Sequence, residues 1–193
     1  MDTLREMVNA GMKRGACSLN QLLDSPVELE ISSVTLFKPH ELDGSPKIFG
    51  NATLSCVQIG FSGPVTGTAF LLFTPRSAAR LVANLVGQDT SASRINGIMT
   101  ETLNEVGNII INCVIGTIGN ILKQSFLLTL PIYLEGRLSD LLKPETHPDA
   151  MTVRLLVRAR FKADAGLIDG TIFLIFEVGP GLAPLMAGNQ VPR

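Results

Sequence analysis

Two stretches of the chain repeat their apolar residues with the period of an α-helix, and each carries a polar stripe on its opposite side. Residues 2–23 predict the first helix, which ends at Leu23-Asp24-Ser25-Pro26 because proline cannot continue a helix. Its apolar face contains Leu4, Val8, Gly11, Gly15 and Leu22, and its polar stripe contains Asp2, Glu6, Asn9 and Lys13.

The second stretch predicts a long helix over residues 93–124. At about 100° per residue its polar stripe is roughly 60° wide, and it contains Glu101, Glu105, Asn108 and Asn112. The opposite face is apolar and contains Leu103, Val106, Ile110, Cys113, Val114 and Ile121. Two carboxylates and two carboxamides facing solvent are unusual, since outer helix faces more often carry pairs of lysine and glutamate.

Elsewhere in the chain, apolar and polar residues follow the patterns of strands and turns. We predict strands at 27–31, 53–61, 67–74, 126–134, 152–162 and 169–177, and a short helix at 76–85 capped by Gly87. Ser62-Gly63-Pro64 supplies a turn between two of these strands. Residues 36–52 predict a loop or a short capped element, residues 88–93 a linker, and residues 179–184 an irregular tail.

The two halves of the chain also resemble each other. Asp2-x3-Glu6-x2-Asn9 matches Glu101-x3-Glu105-x2-Asn108 at an offset of 99 residues, and GPVTGTAFLLF (63–73) matches GLIDGTIFLIF (166–176) at an offset of 103. This internal duplication predicts a single pseudo-twofold domain made of two repeats, about 1–92 and 93–193. Tight turns between strands indicate a mostly antiparallel sheet, so we predict an α+β fold with the two long helices on one face.

Composition and charge exclude several classes of function. The chain has 193 residues, is 46% hydrophobic and carries a formal net charge of −1, so charge supports neither a nucleic-acid nor a membrane partner. Its longest apolar run, 109–122, is interrupted by asparagine and glycine and is too short and too polar to span a bilayer. Three widely spaced cysteines, Cys17, Cys56 and Cys113, predict reduced core thiols in a cytoplasmic protein.

The familiar catalytic constellations are missing from the sequence. His40 and His147 each lie near a proline, and no histidine and cysteine have the spacing of metal ligands. No glycine-rich loop of the phosphate-binding kind follows a strand, and there is no Gly-x-Ser-x-Gly elbow. We therefore predict no metal site and no cofactor of the chain's own.

The polar stripe has two interpretations, of which a solvated helix face is the simpler. Against it, asparagine is a poor helix former, yet Asn104, Asn108 and Asn112 occur in one helix without a cap role. The Glu-x2-Asn pair also recurs in the other half, and residues three apart are neighbours on a helix surface. A carboxylate can bind a cation, and an amide inserted into a partner's site can orient a water molecule, as in phosphoryl hydrolysis.

These residues resemble the Asp/Ser-x3-Glu-x2-Asn-x22-Pro signature of the CheC/CheX/FliY phosphatases of bacterial chemotaxis. The second half reads Glu101-x3-Glu105-x2-Asn108-x22-Pro131, with Glu101 in place of the Asp or Ser. The first half reads Asp2-x3-Glu6-x2-Asn9-x22-Ser32, with Ser32 in place of the Pro. The resemblance covers essentially the whole chain, and it implies a two-sited enzyme that hydrolyses the aspartyl phosphate of the response regulator CheY.

The resemblance further implies a role for each residue. Glu105 and Glu6 would pair with a lysine of the regulator, while Asn108 and Asn9 would enter its active site and align the attacking water. The Mg²⁺ would belong to the regulator, and no covalent intermediate would form on this chain. Some relatives also bind the receptor deamidase CheD, which makes CheD a second candidate partner.

Two departures from the signature, Glu101 and Ser32, and the position of Asp2 bear on this interpretation. Glu101 adds negative charge near the phosphoryl group, which favours a place at the rim of the site or a role in the first turn of the helix. Ser32 loosens the strand entry of the first half, and Asp2 lies where fraying is expected, so we expect the second site to be the stronger. The alternative is a non-catalytic binding or scaffold protein of the chemotaxis or flagellar-switch system, such as a CheD regulator. Retention of Glu-x2-Asn in both halves favours the enzyme, since the related switch protein FliM lacks that pair.

Overall fold

A seven-stranded antiparallel sheet with helices packed on it forms the computed structural model, which describes residues 2–37, 50–87, 92–142 and 153–178. Its helices within these ranges are α1 (Asp2–Leu23), α2 (Pro75–Val86), α3 (Ala92–Leu122) and α4 (Leu138–Leu141). Its strands are β1 (Glu28–Phe37), β2 (Thr53–Ser62), β3 (Gly67–Phe73), β4 (Leu127–Leu128), β5 (Ile132–Arg137), β6 (Arg154–Ala163) and β7 (Ile168–Glu177). The predicted α+β class and both long helices are confirmed.

The sheet has equivalent strands at equivalent distances from its centre. The strand order is β1-β6-β7-β3-β2-β4, and β5 also pairs with β2. At the centre Phe70 of β3 lies opposite Phe173 of β7, while Gly67 pairs with Phe176 and Phe73 pairs with Gly170. These are the positions that the offset of 103 residues relates. The pseudo-twofold axis therefore passes between β3 and β7, whereas the repeat boundary near residue 92 stays a prediction.

Each face of the sheet has its own hydrophobic core. The larger core lies between the sheet and α1, α2 and α3, and it includes two edge-to-face ring pairs. These pairs are Phe61 with Phe176, at a centroid distance of 5.3 Å, and Phe73 with Phe161, at 5.2 Å. On the opposite face a smaller cluster packs against Leu138 and Leu141 of α4. The two long helices thus share one face of the sheet, as predicted.

The ends of α2 follow the signals in its sequence. Thr74 precedes the helix, and its hydroxyl accepts a hydrogen bond from the Ser77 N–H at 3.2 Å. Pro75 occupies the first turn, where a missing N–H costs nothing. Gly87 has a φ of 84° and donates its N–H to the Ala83 carbonyl at 3.0 Å, so the predicted cap is confirmed.

The structure differs from the predicted pattern in several places. β1 continues through Phe37 into the predicted loop, and the predicted strand at 126–134 is divided into β4 and β5. Leu22 and Ile121 are 54% and 38% exposed because each lies in the last turn of its helix. Residues 38–49, 88–91 and 179–184, which hold the rest of the predicted loop, linker and tail, lie outside the described residues.

The predicted burial of all three cysteines is wrong for two of them. Cys56 is buried within the sheet, where it faces the smaller core. Cys17 is exposed and Cys113 is half-buried, because both lie on the outer surface where α1 and α3 meet. All three are free thiols, as predicted.

The most apolar part of α3 packs into the core of the protein. By length and composition, Gly97–Leu122 is long and apolar enough to cross a membrane, contrary to the expectation from the shorter run at 109–122. Half of its most apolar window is buried inside the fold, however, against α1 and the sheet. This burial accounts for its apolar composition.

Candidate functional site

The polar stripe of α3 faces solvent. Leu103, Val106, Ile110 and Val114 are each at most 1% exposed and hold the opposite face of the helix against the core. Glu101 and Glu105 are exposed, and Asn108 is half-buried at the edge of the stripe. The predicted pair, Glu105 and Asn108, therefore lies on the outer side of a helix whose other side is fixed by packing.

Gly107 determines how closely the part of α3 that carries Glu105 and Asn108 packs on the sheet. A Cβ at Gly107 would lie 2.8 Å from Cγ1 of Val57 and 3.3 Å from its Cβ. No larger residue fits without a shift, so α3 lies directly on β2 between Glu105 and Asn108. Such close seating limits how far the pair can move relative to the sheet.

Asn112 contacts Asn108 one helical turn away. Its Nδ2 donates to the backbone carbonyl of Asn108 at 2.8 Å and to Oδ1 of Asn108 at 2.7 Å. The sequence places Asn112 on the same stripe but does not identify it as a supporting position. Helical spacing shows that the two side chains are neighbours, but only their rotamers show a hydrogen bond.

The equivalent pair on α1 is also on the surface. Asp2 and Glu6 are exposed and Asn9 is half-buried. At the position equivalent to Asn112 stands Lys13, which is exposed. Both motif helices thus present a glutamate and an asparagine on the outer side of the same layer.

The two helices cross close to both pairs. Gly11 and Gly15 of α1 face Val114 and Ile110 of α3, so the crossing begins two residues after each motif asparagine. An open groove of about 510 Å³ lies between the two helices on their outer side. It is lined on one side by Arg14, Cys17 and Gln21 and on the other by Asn112, Gly116 and Asn120.

The last motif position interrupts an edge strand in both halves. In β1 the pairing register with β6 shifts between Ile31 and Ser33, which makes Ser32 a bulged residue. Pro131 lies in the gap between β4 and β5. Proline has no N–H to donate to the ladder, and across this gap the register with β2 shifts by one residue, from Phe61 opposite Leu128 to Gln58 opposite Ile132. Ser32 and Pro131 therefore occupy equivalent places in the fold.

Thr129 attaches the chain to the sheet just before Pro131. Its N–H donates to the Gly60 carbonyl at 2.9 Å, and its hydroxyl oxygen accepts from the Gly60 N–H at 2.9 Å. A Cβ at Gly60 would approach the Thr129 side chain to 3.1 Å. This side-chain bond replaces a ladder bond and fixes the entry to β5.

The chemistry that these residues offer is charge pairing and hydrogen bonding. Burial raises the pKa of the Cys56 thiol to about 12, and burial together with a hydrogen bond to Glu135 raises the pKa of Tyr133 to about 12. Neither is an activated nucleophile at neutral pH. No cluster of three or more potential metal ligands occurs among the described residues. Each Glu/Asn pair offers a carboxylate that can bind a cation and an amide that can donate and accept hydrogen bonds.

Three comparisons with known proteins bear on identity. The family model "Chemotaxis phosphatase CheX" matches residues 55–152, which include Glu105, Asn108 and Pro131. The CheY-P phosphatase CheC of Bacillus subtilis is 25% identical over 136 residues, which cover 68% of this chain and 64% of CheC. The alignment thus spans less than two thirds of that relative's length.

Solved structures show the same fold at low sequence identity. FliY of Thermotoga maritima has a TM-score of 0.73 at 13% identity, covering 98% of this chain and 96% of that chain. CheX in the CheX–CheY–BeF3–Mg²⁺ complex of Borrelia burgdorferi has a TM-score of 0.55 at 16% identity, covering 88% and 96%. With the family model matching half of the sequence, the chain belongs to the CheC/CheX/FliY family of chemotaxis proteins.

Proposed function

We propose that this protein is a phosphatase that hydrolyses the aspartyl phosphate of a CheY-like response regulator. The observation that carries this proposal is the pair of exposed Glu105 and half-buried Asn108 on the outer side of a packed helix, repeated as Glu6 and Asn9 on α1. The CheY-P phosphatase activity named for the Bacillus relative and the CheX–CheY complex of the Borrelia protein support it.

The chain's own residues would act by positioning. Glu105 forms an ion pair with a lysine of the regulator. This pairing keeps the Glu105 carboxylate away from the phosphoryl oxygens and anchors α3 on the regulator. Asn108 enters the regulator's site and orients a water molecule in line with the phosphorus–oxygen bond that breaks. Such positioning, with charge complementarity at the phosphoryl group, is sufficient for large accelerations without a covalent intermediate. The Mg²⁺ belongs to the regulator, an assignment supported by the presence of Mg²⁺ with CheY and BeF3 in the Borrelia complex.

The test is phosphate release from a phosphorylated, Mg²⁺-loaded CheY with purified protein in catalytic amount. Asn108→Ala should lower the rate by one to several orders of magnitude, and Asn9→Ala should lower it less, because removal of one positioning group costs about 10²–10³ in rate. Asn120→Ala is the matched control, since Asn120 is an asparagine on the outer side of α3 that lies outside the motif. A double variant, Asn9→Ala with Asn108→Ala, that matches the wild type would exclude the catalytic role.

The second candidate function is a non-catalytic binding protein of the chemotaxis or flagellar-switch system. It is favoured by Glu101 and Ser32, which depart from the phosphatase signature. Binding of a BeF3-loaded regulator without any increase in phosphate release would select it. Binding to CheD and a cytoplasmic location remain part of the proposal, and a pull-down with purified CheD tests the former.

A further inference from the structure

The direction of the Asn108 amide can be read from its contacts. Asn112 faces the backbone carbonyl of Asn108 at 2.8 Å, and a carbonyl can only accept a hydrogen bond. The nearer group of Asn112 must therefore be its NH2, which fixes that amide. The same NH2 lies 2.7 Å from the side chain of Asn108, so the group of Asn108 on that side must be its Oδ1. The NH2 of Asn108 then points away from Asn112.

We propose that Asn112 is a positioning residue that holds the side-chain NH2 of Asn108 towards the partner. This inference rests on the proposed function, in which Asn108 orients water in the regulator's site. A half-buried asparagine without a partner can turn its amide about the last bond with little preference. A hydrogen bond from Asn112 selects one orientation before the regulator binds, so less freedom is lost in the reaction.

The other half of the chain provides a natural comparison. Lys13 occupies the position on α1 that Asn112 occupies on α3. Among the residues that the structure describes, no hydrogen bond joins Lys13 to Asn9. The two motif asparagines therefore differ in preorganisation although their spacing from Glu6 and Glu105 is the same. This difference supplies a structural cause for a stronger site on α3.

The test combines kinetics with side-chain NMR. In the Asn9→Ala background, Asn112→Leu keeps the side-chain volume but removes the donor. We expect kcat to fall about 3- to 10-fold, the range of one modest hydrogen bond, with KM and the melting temperature unchanged. Asn120→Leu, the same substitution two turns further along α3, is the control and should retain the kcat of the Asn9→Ala parent.

The NMR arm measures the ¹⁵N order parameters of the side-chain amides in the free protein. In the chain that keeps Asn9, Asn112→Leu should lower the order parameter of Asn108 to that of Asn9, and Lys13→Asn should raise that of Asn9. An unchanged order parameter at Asn108, or a rise in KM that accounts for the lost activity, would overturn the positioning role. If the wild type releases no phosphate, the proposed function fails, while the order parameter still decides whether Asn112 fixes Asn108.

Discussion

Gly11 of α1 lies against the backbone of Val114 of α3, where a Cβ on the glycine would be only 2.5 Å from the Val114 Cα. Gly15 lies against Ile110, and a Cβ on Gly15 would be 3.5 Å from the Ile110 Cα. At the offset of 99 residues Ile110 and Val114 are the counterparts of Gly11 and Gly15, so each glycine contacts the counterpart of the other. Exchanged partners of this kind are the pattern of a twofold contact.

This crossing predicts unequal effects for two similar substitutions. Gly11→Ala forces a methyl group into backbone atoms of α3, which cannot rotate away, so we expect a loss of about 1–3 kcal/mol in the free energy of unfolding. Gly15→Ala makes ordinary van der Waals contacts and replaces a glycine within a helix, so we expect a gain of up to about 1 kcal/mol. Urea unfolding of both variants measures the difference, and equal destabilisation would contradict the observed crossing.

Much of this fold could be predicted from the sequence, because the period of the apolar residues indicates which face of each helix or strand is buried. The motif residues Glu6, Asn9, Glu105 and Asn108 were placed correctly on outer helix faces for the same reason. The depth of the helix crossing was not predictable, because it depends on which backbone lies opposite Gly11. The hydrogen bond from Asn112 was not predictable either, since spacing does not determine a rotamer. Ile121 fits the apolar period, but it lies in the last turn of its helix, where it is 38% exposed.

An ion pair between Arg80 and Asp164 predicts a pH-dependent contribution to stability. Arg80 Nε lies 2.6 Å from Asp164 Oδ2 and joins α2 to the turn that follows β6. Hydrogen bonds from Arg80 and then Asn84 lower the pKa of this carboxyl below its usual 3.8. A carboxyl group with a lowered pKa stabilises the fold above its unfolded-state pKa, and this contribution is lost as the pH falls through the folded-state pKa.

Asp164→Asn should therefore lower the urea midpoint at pH 7 and have a smaller effect as the pH falls below about 4. Asparagine suits the backbone at this position, where φ is 51°, so the change removes charge without adding strain. Asp24→Asn, at an exposed position with a φ of 46°, is the control. A loss at Asp164→Asn that is the same at pH 7 and pH 3 would show that the charge is not its cause.

The three thiols should react in a fixed order. Cys17 is exposed, Cys113 is half-buried with its Sγ 3.9 Å from the Ser18 hydroxyl, and Cys56 is buried. Burial raises the pKa of Cys56 to about 12, which leaves almost no thiolate at neutral pH. In Ellman titration we expect a fast phase that Cys17→Ser removes, a slower phase from Cys113, and reaction of Cys56 only after unfolding. Rapid loss of three thiols from the folded protein would contradict this burial.

Gly107 offers the sharpest link between packing and the proposed activity. Because Gly107 has no side chain, Val57 fits against it, and valine has few alternative rotamers with which to avoid the methyl group of an alanine at this position. Gly107→Ala should therefore move α3 away from β2 at the point between Glu105 and Asn108. Because misplacement by about 1 Å can cost on the order of 10²-fold in rate, we expect kcat for phosphate release to fall at least about 10-fold. The cost in unfolding free energy should be only about 1–2 kcal/mol.

Gly116→Ala separates this effect from a general response of α3 to alanine. Gly116 is exposed, and a Cβ there would have no atom within 4 Å. Its replacement should leave kcat unchanged and raise the free energy of unfolding by about 0.5–1 kcal/mol, the usual gain over glycine within a helix. Stopped-flow phosphate release and urea unfolding, measured on both variants in the Asn9→Ala background, give the comparison. If Gly107→Ala kept full activity, the seating of α3 on β2 would not be what positions Asn108.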